Sequence, residues 1–158
     1  MSDKKHRYEV LIEWCGNRGK GTADYRAYDR DHLIKAGGKT PIEGSSDPAF
    51  MGAPDRWNPE ELLVASLSAC HKLWYLHLAA VNGLTVTAYE DRAEGFMVEE
   101  RGKGGRFVEV VLHPLVTITA GGDVDKAEAL HKEAHALCFI ANSVNFPVRH
   151  EATIQVET

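Results

Sequence analysis

Apolar residues in this chain repeat with two periods, and the change from one to the other marks out the elements. Tyr8, Val10, Ile12 and Trp14 alternate with Glu9, Leu11 and Glu13, a period of two that predicts a strand with one strongly apolar face. Gly16-Asn17 turns the chain, and Gly21 to Tyr28 predicts a second strand. From Lys35 to Trp57 the run of Gly37-Gly38, Pro41, Gly44, Ser45-Ser46, Pro48, Gly52 and Pro54 predicts a long irregular connection, the kind of segment that often carries function.

The period then lengthens. Asn58-Pro59-Glu60-Glu61 predicts a helix start, with Asn as the cap, Pro at the first helical position and two carboxylates at the positive end of the dipole. The pattern stays helical to about Val81, where Asn82-Gly83 supplies a left-handed stop, a length of roughly 33 Å at about 1.5 Å per residue. Leu62, Leu63, Val64, Leu67, Cys70, Leu73, Trp74, Leu76 and Leu78 surround much of the circumference and predict a central, buried helix.

Leu84 to Glu99 and Arg106 to Thr119 are β-rich, and Gly102-Lys103-Gly104-Gly105 between them predicts an antiparallel hairpin. Asp123 or Asp125 caps a second helix through Ala127, Leu130, Ala134, Leu137, Cys138 and Ala141, which Pro147 stops near Asn145. Ala152, Ile154 and Val156 alternate in a last strand within Val148 to Glu157. Strands, helix, hairpin, helix and strand in that order predict an α+β fold, as one domain over residues 1–158.

Composition narrows the possible partners. The 158 residues are 44% hydrophobic and 26% charged, as in a globular domain, and 18 basic against 23 acidic residues give a net charge of -5 with no basic block. Nucleic acid and membrane surfaces therefore have no electrostatic claim on the chain. Met1-Ser2-Asp3-Lys4-Lys5-His6 lacks the apolar core of a signal peptide, and Ser66, Ser68, His71, Lys72 and His77 interrupt the longest apolar segment, so a cytoplasmic location is expected.

Three cysteines, Cys15, Cys70 and Cys138, form no C-x-x-C pair and suggest neither a secreted disulfide framework nor a zinc ribbon. Cys70 falls about three turns into the first helix and Cys138 about four turns into the second, so both thiols are expected on rigid elements, either reactive or simply buried as small hydrophobes. Cys15 is expected to be structural. His131 and His135, four apart, share a helix face within reach of a metal. Glu133 is out of register with an H-E-x-x-H pattern and no third ligand is obvious, so neither a metal nor a cofactor is expected.

Arg18-Gly19-Lys20-Gly21-Thr22, then Asn58-Pro59-Glu60-Glu61-Leu62, then Cys70 ten residues after Glu60, resembles the osmotically inducible protein C and organic hydroperoxide resistance (OsmC/Ohr) family, and Cys138 ahead of the final strand resembles that family's second cysteine. The resemblance implies antiparallel sheets wrapped around two long central helices and completed in an intertwined homodimer. It implies a thiol-dependent peroxidase acting on organic hydroperoxides, with Cys70 as nucleophile, Cys138 as resolving cysteine, and Arg18 and Glu60 organising the pocket. A thiolate attacks the O–O bond, a guanidinium lowers the thiol pKa and polarises the peroxide, and a carboxylate holds the guanidinium. A lipoyl-type dithiol is the implied reductant, and Trp74 and Phe139 are the implied apolar pocket walls.

Glu60 and Cys70 are separated by about 15 Å of rise on one straight helix, so a second chain is the simplest way to bring their groups to one site. His71 follows Cys70 where better-known peroxidases of the family carry an aromatic, and Phe139 follows Cys138 where many carry proline, which marks a divergent subgroup. His71 itself points about 100° away from Cys70 and reads as a buried or interface residue. A binding or redox-sensing protein that keeps the fold without catalysis is the alternative, and a structural dimer with inert thiols is a third.

Overall fold

A computed structural model describes residues 3–158. Contacts gather them into two compact units, one through Leu62 and the other Leu63–Thr158. In the first, β1 (Leu11–Trp14), β2 (His32–Lys35) and β3 (Ile42–Gly44) form an antiparallel sheet in that order. The alternation predicted from Tyr8 becomes strand only at Leu11, opposite Lys35, because β2 ends there and offers nothing further to pair with. At the other end Gly16 lies so close to the Asp29 carbonyl that a Cβ would sit 1.8 Å from the oxygen.

The strand predicted over Gly21 to Tyr28 does not form. Asn17 Oδ1 accepts from the amides of Gly19 and Gly21, and Asp24 Oδ1 from that of Arg26, so local side chains draw the backbone into turns and leave one isolated bridge, Asn17 to Tyr28. The irregular connection from Lys35 to Trp57, by contrast, is highly ordered and carries β3. The wholly buried Ser45 donates its hydroxyl to Asp31, accepts from Ala53 N, and donates its amide to Trp57 O, while Arg56 pairs with Asp31 and Glu43.

Helix α1 (Pro59–Val81) opens with a reciprocal cap: Asn58 Oδ1 accepts from Glu61 N at 2.8 Å and Glu61 Oε2 from Asn58 N at 3.2 Å. It ends where Gly83 takes φ 71° and Leu84 N returns to Ala79 O. Each predicted β segment that follows splits in two. β4 (Val86–Asp91) and β5 (Glu94–Glu100) flank Arg92-Ala93, β6 (Gly104–Leu112) and β7 (Pro114–Ile118) flank His113, and after α2 (Val124–Leu137) come β8 (Val148–His150) and β9 (Thr153–Val156). The hairpin is β5–β6, closing at Glu100 opposite Gly104. Asp91 fixes the break at His113 by accepting from that residue's amide at 2.7 Å and from the Ser68 hydroxyl at 2.5 Å.

The second unit thus has two sheets, β4-β7-β9 and β5-β6-β8. The run β6–β7 passes from one to the other, and β8–β9 follows alongside it in parallel, a pairing direction that the alternation of the last segment did not reveal. α1 buries the stripe Leu67, His71, Tyr75 and Leu78. Leu67 packs with Val110 and Leu112, while Tyr75 and Leu78 pack with Val116, Ile118, Leu130 and Ala134. The all-round burial expected of this helix is absent, since Leu73 stays 62% exposed: the sheet of one small unit covers one face. Among the described residues no helix is long and apolar enough to cross a membrane.

Leu67→Ala removes a side chain with 0% exposure from the smaller core cluster and is expected to lower stability by about 2–5 kcal/mol. Asn58→Ala removes only the cap and is expected to lose about 1 kcal/mol. Urea unfolding of both variants checks the ratio; equal losses would contradict this division between core and cap.

Candidate active site

Helical spacing sets Cys70, Leu73, Trp74 and His77 along one face of α1, turned away from the buried stripe. Cys70 is half-buried and its thiol is free. Trp74 stands edge-on to Phe139 at 5.5 Å and to His77 at 5.8 Å between ring centroids. Leu73, Trp74 and His77 line an open cleft of about 250 Å³. Trp74 and Phe139 were expected as pocket walls, and here they touch. Leu73 and His77 were not singled out, although their spacing of three and seven residues from Cys70 carried the signal.

Cys138 sits differently from expectation. The predicted helix was to run through it, but α2 stops at Leu137 and Cys138 is the terminating residue, extended at φ -67° and ψ 111°. Its amide closes a tight turn onto His135 O, and its own sulfur accepts from Ala141 N at 3.5 Å, drawing the chain into a short 3-10 turn at Ala141–Ser143. Apolar periodicity continued past the true end because these residues still pack inward after the backbone has left the helix.

The two thiols are neighbours, near enough for one to act on the other, and both are free. Burial pushes the Cys138 thiol up to about 11; the Ala141 amide opposes this, and the neighbouring Cys70 thiol adds a lesser rise. Cys138 is therefore held as a protonated thiol, and Cys70 is the more open of the two.

Arg18 and Glu60 belong to the first unit. Asn17 shapes the loop around Arg18, whose guanidinium donates to the Arg26 carbonyl and lies 3.6 Å from Asp29 Oδ1. The acid paired with Arg18 in this unit is thus Asp29. Glu60 lies half-buried in the first turn of α1. Cys15, exposed at the end of β1, donates its amide to Asp31 O. His131 turns Nδ1 toward His71 and not toward a site shared with His135. Among the described residues no group of three or more His, Cys, Asp or Glu is arranged to hold a metal ion.

Two neighbouring free thiols, one buried and one half-buried, on an α+β frame of helices and mixed sheets, define a dithiol protein. The chain belongs to the OsmC family: the family model described as OsmC-like protein matches residues 52–153. An OsmC-like protein of unknown function from Vibrio cholerae is 31% identical, with a TM-score of 0.84 over 94% of this chain and 100% of that one. An organic hydroperoxide resistance protein OsmC from Legionella pneumophila shares the fold at 21% identity and TM-score 0.67, over 96% of this chain and 99% of that one. One from Elizabethkingia anophelis does so at 20% and 0.68, over 98% and 100%. No curated protein matches the chain.

Alkylation by iodoacetamide, followed peptide by peptide in the reduced protein, is expected to reach its half-maximal rate at Cys138 only near pH 11. A midpoint at Cys138 close to the ordinary value of 9.0 would mean that burial does not control this thiol.

Proposed function

We propose that this protein is a thiol-dependent peroxidase for organic hydroperoxides, using Cys70 as nucleophile and Cys138 as resolving cysteine, in cytoplasmic defence against oxidative stress. The single observation that carries the reading is that two free thiols, Cys70 on α1 and Cys138 where α2 ends, lie close enough to act on one another, with the cleft of Leu73, Trp74 and His77 on the Cys70 face of α1. Family members named for organic hydroperoxide resistance support it.

In the first step the Cys70 thiolate attacks the terminal peroxide oxygen. The O–O bond breaks, an S–O bond forms, and the departing alkoxide takes a proton to leave as an alcohol, with Cys70 oxidised to sulfenic acid. In the second, the Cys138 sulfur attacks that sulfenic acid, losing its proton as the S–O bond breaks; water leaves and a Cys70–Cys138 disulfide remains. A lipoyl-type dithiol then reduces the disulfide by exchange and is itself oxidised to a cyclic disulfide. The closeness of the two thiols means that the second step needs little movement, which protects Cys70 from a further equivalent of peroxide.

The apolar cleft favours an alkyl-bearing hydroperoxide over hydrogen peroxide, since burying hydrocarbon against Trp74 and Leu73 contributes about 25 cal/mol per Å². A homodimer is part of this reading. The apolar side chains of β1, with Leu11 and Ile12 each 56% exposed, together with the open Leu73, offer area for it to bury. Arg18 stabilises the Cys70 thiolate and polarises the peroxide, and Glu60 acts as a positioning residue for Arg18.

Cys70→Ser is expected to abolish reduction of an alkyl hydroperoxide, whereas Cys138→Ser consumes about one equivalent and stalls with sulfenic acid on Cys70. Arg18→Ala slows the first attack, and Glu60→Ala slows it less. Consumption assays with mass spectrometry of the thiols read all four variants. Wild-type rates in both cysteine variants would overturn the reading and leave a binding or sensing protein.

A further inference from the structure

Imidazoles that the thiol chemistry does not use converge inside the second unit. His71 on α1 and His131 on α2, both buried, face each other with His71 Nε2 3.0 Å from His131 Nδ1. The two rings lie within 3° of a common orientation. His150, which ends β8, lies 5.6 Å from His71 and 5.8 Å from His131 between ring centroids, and the half-buried His135, one turn beyond His131, lies 6.1 Å from His150. Tyr75 stacks on His131 at 4.0 Å and donates its hydroxyl to Ala127 O, so it is already engaged. His131 Nε2 is buried with no hydrogen-bond partner, as is the hydroxyl of Tyr89, which packs on Tyr75 from β4.

We propose that His71, His131 and His150 form a proton-binding site that latches α1, α2 and β8 together while neutral and releases them when protonated, parting the Cys70 and Cys138 thiols. The consequence for the thiols rests on the dithiol reading. The coupling is short in the chain: His71 directly follows Cys70, and the carbonyl of His135 holds the amide of Cys138.

Counting protons gives the reason. A neutral His71–His131 pair places one proton on the line between the facing nitrogens, and whichever ring donates it, His131 Nε2 has no partner. One added proton makes a buried cation. A second sets N–H against N–H across 3.0 Å and destroys the bond. The charges that act on these rings are those of the other imidazoles, with no carboxylate to offset them. The phenols Tyr75 and Tyr89 face the cluster from α1 and β4. Lys132 and Glu133 on α2 are exposed. Arg149 on β8 pairs with Glu109, and Glu151 after it is taken up by His113 and Arg149.

Burial first, and then the neighbouring imidazoles, hold His71 down to about 4 and His131 down to about 3, and push His150 below its ordinary value. A ring freed by opening returns to 6.5, so the open form binds more protons than the closed one. The latch has its full strength above pH 6.5 and weakens as pH falls from there through about 4 and 3. Each pH unit in that window multiplies the open population about tenfold per ring that is protonated only on opening, about a hundredfold for two.

Hydrogen exchange by mass spectrometry on the reduced wild-type protein between about pH 7.5 and about pH 5, corrected for intrinsic amide chemistry, tests the latch. Peptides from α2 and β8 are expected to lose protection at least about tenfold at the acid end while the β5–β6 hairpin keeps its own. His150→Gln, which removes one repelling ring from the half-buried edge, is expected to move that loss to lower pH. Unchanged protection of α2 and β8 overturns the proposal, as does loss in step with the hairpin, or a His150→Gln profile identical to wild type. Peroxide turnover with pH-independent protection sinks the latch and leaves the peroxidase; acid opening without turnover does the reverse.

Discussion

Helix α1 has to serve two faces at once, and the second unit follows from how it divides them. Leu67, His71, Tyr75 and Leu78 form its buried stripe, joining both core clusters and drawing α2 in through the Tyr75 hydroxyl on Ala127 O. Cys70, Leu73, Trp74 and His77 form the other stripe, and the last three of them line a cleft. Neither stripe can be widened without narrowing the other, because successive residues on a helix turn by about 100°. Burial of one face is thus what holds the reactive face in place.

That division explains where polar atoms are buried. The thiol of Cys138 is enclosed at the point where α2 gives way to the 3-10 turn, and its raised pKa is the electrostatic consequence. The imidazoles of His71 and His131 are enclosed between the same helices and share one hydrogen bond, while His131 Nε2 is left without a partner. The two thiols and the buried imidazoles therefore share one helix pair. Membership of the OsmC family fits this frame, and the departures beside each cysteine, His71 and Phe139, both make contacts within it: one bonds α1 to α2 and the other stands edge-on to Trp74.

Local signals in the sequence determined a good deal. The cap at Asn58 and the stop at Gly83 lie where residue type alone placed them, the second cap is Asp123 of the two candidates Asp123 and Asp125, and the hairpin forms as expected but closes a little earlier, with Gly104 and Gly105 already in β6, since each depends on backbone groups within a few residues. The order of elements and the α+β class followed from the same periodicities, as did the stripe from Cys70 through Trp74. The strand expected over Gly21 to Tyr28 failed for an equally local reason, because Asn17 and Asp24 offered the backbone closer partners than a sheet could.

What only the tertiary structure decided were relations between residues far apart in the chain. The parallel course of β8 and β9, the passage of β6–β7 from one sheet to the other, and the arrival of His150 beside His71 and His131 all depend on which strand neighbours which. Periodicity reports which side of an element is apolar and is silent on what covers it. The end of α2 at Leu137 was hidden for a related reason: Cys138 continues the apolar pattern while its backbone has already turned extended, so that its sulfur meets Cys70. The sequence determined which residues carry thiols and imidazoles and on which elements they ride; packing across α1, α2 and β8 decided which of them meet, because contact between distant residues is set by the burial of whole faces and not by the residues themselves.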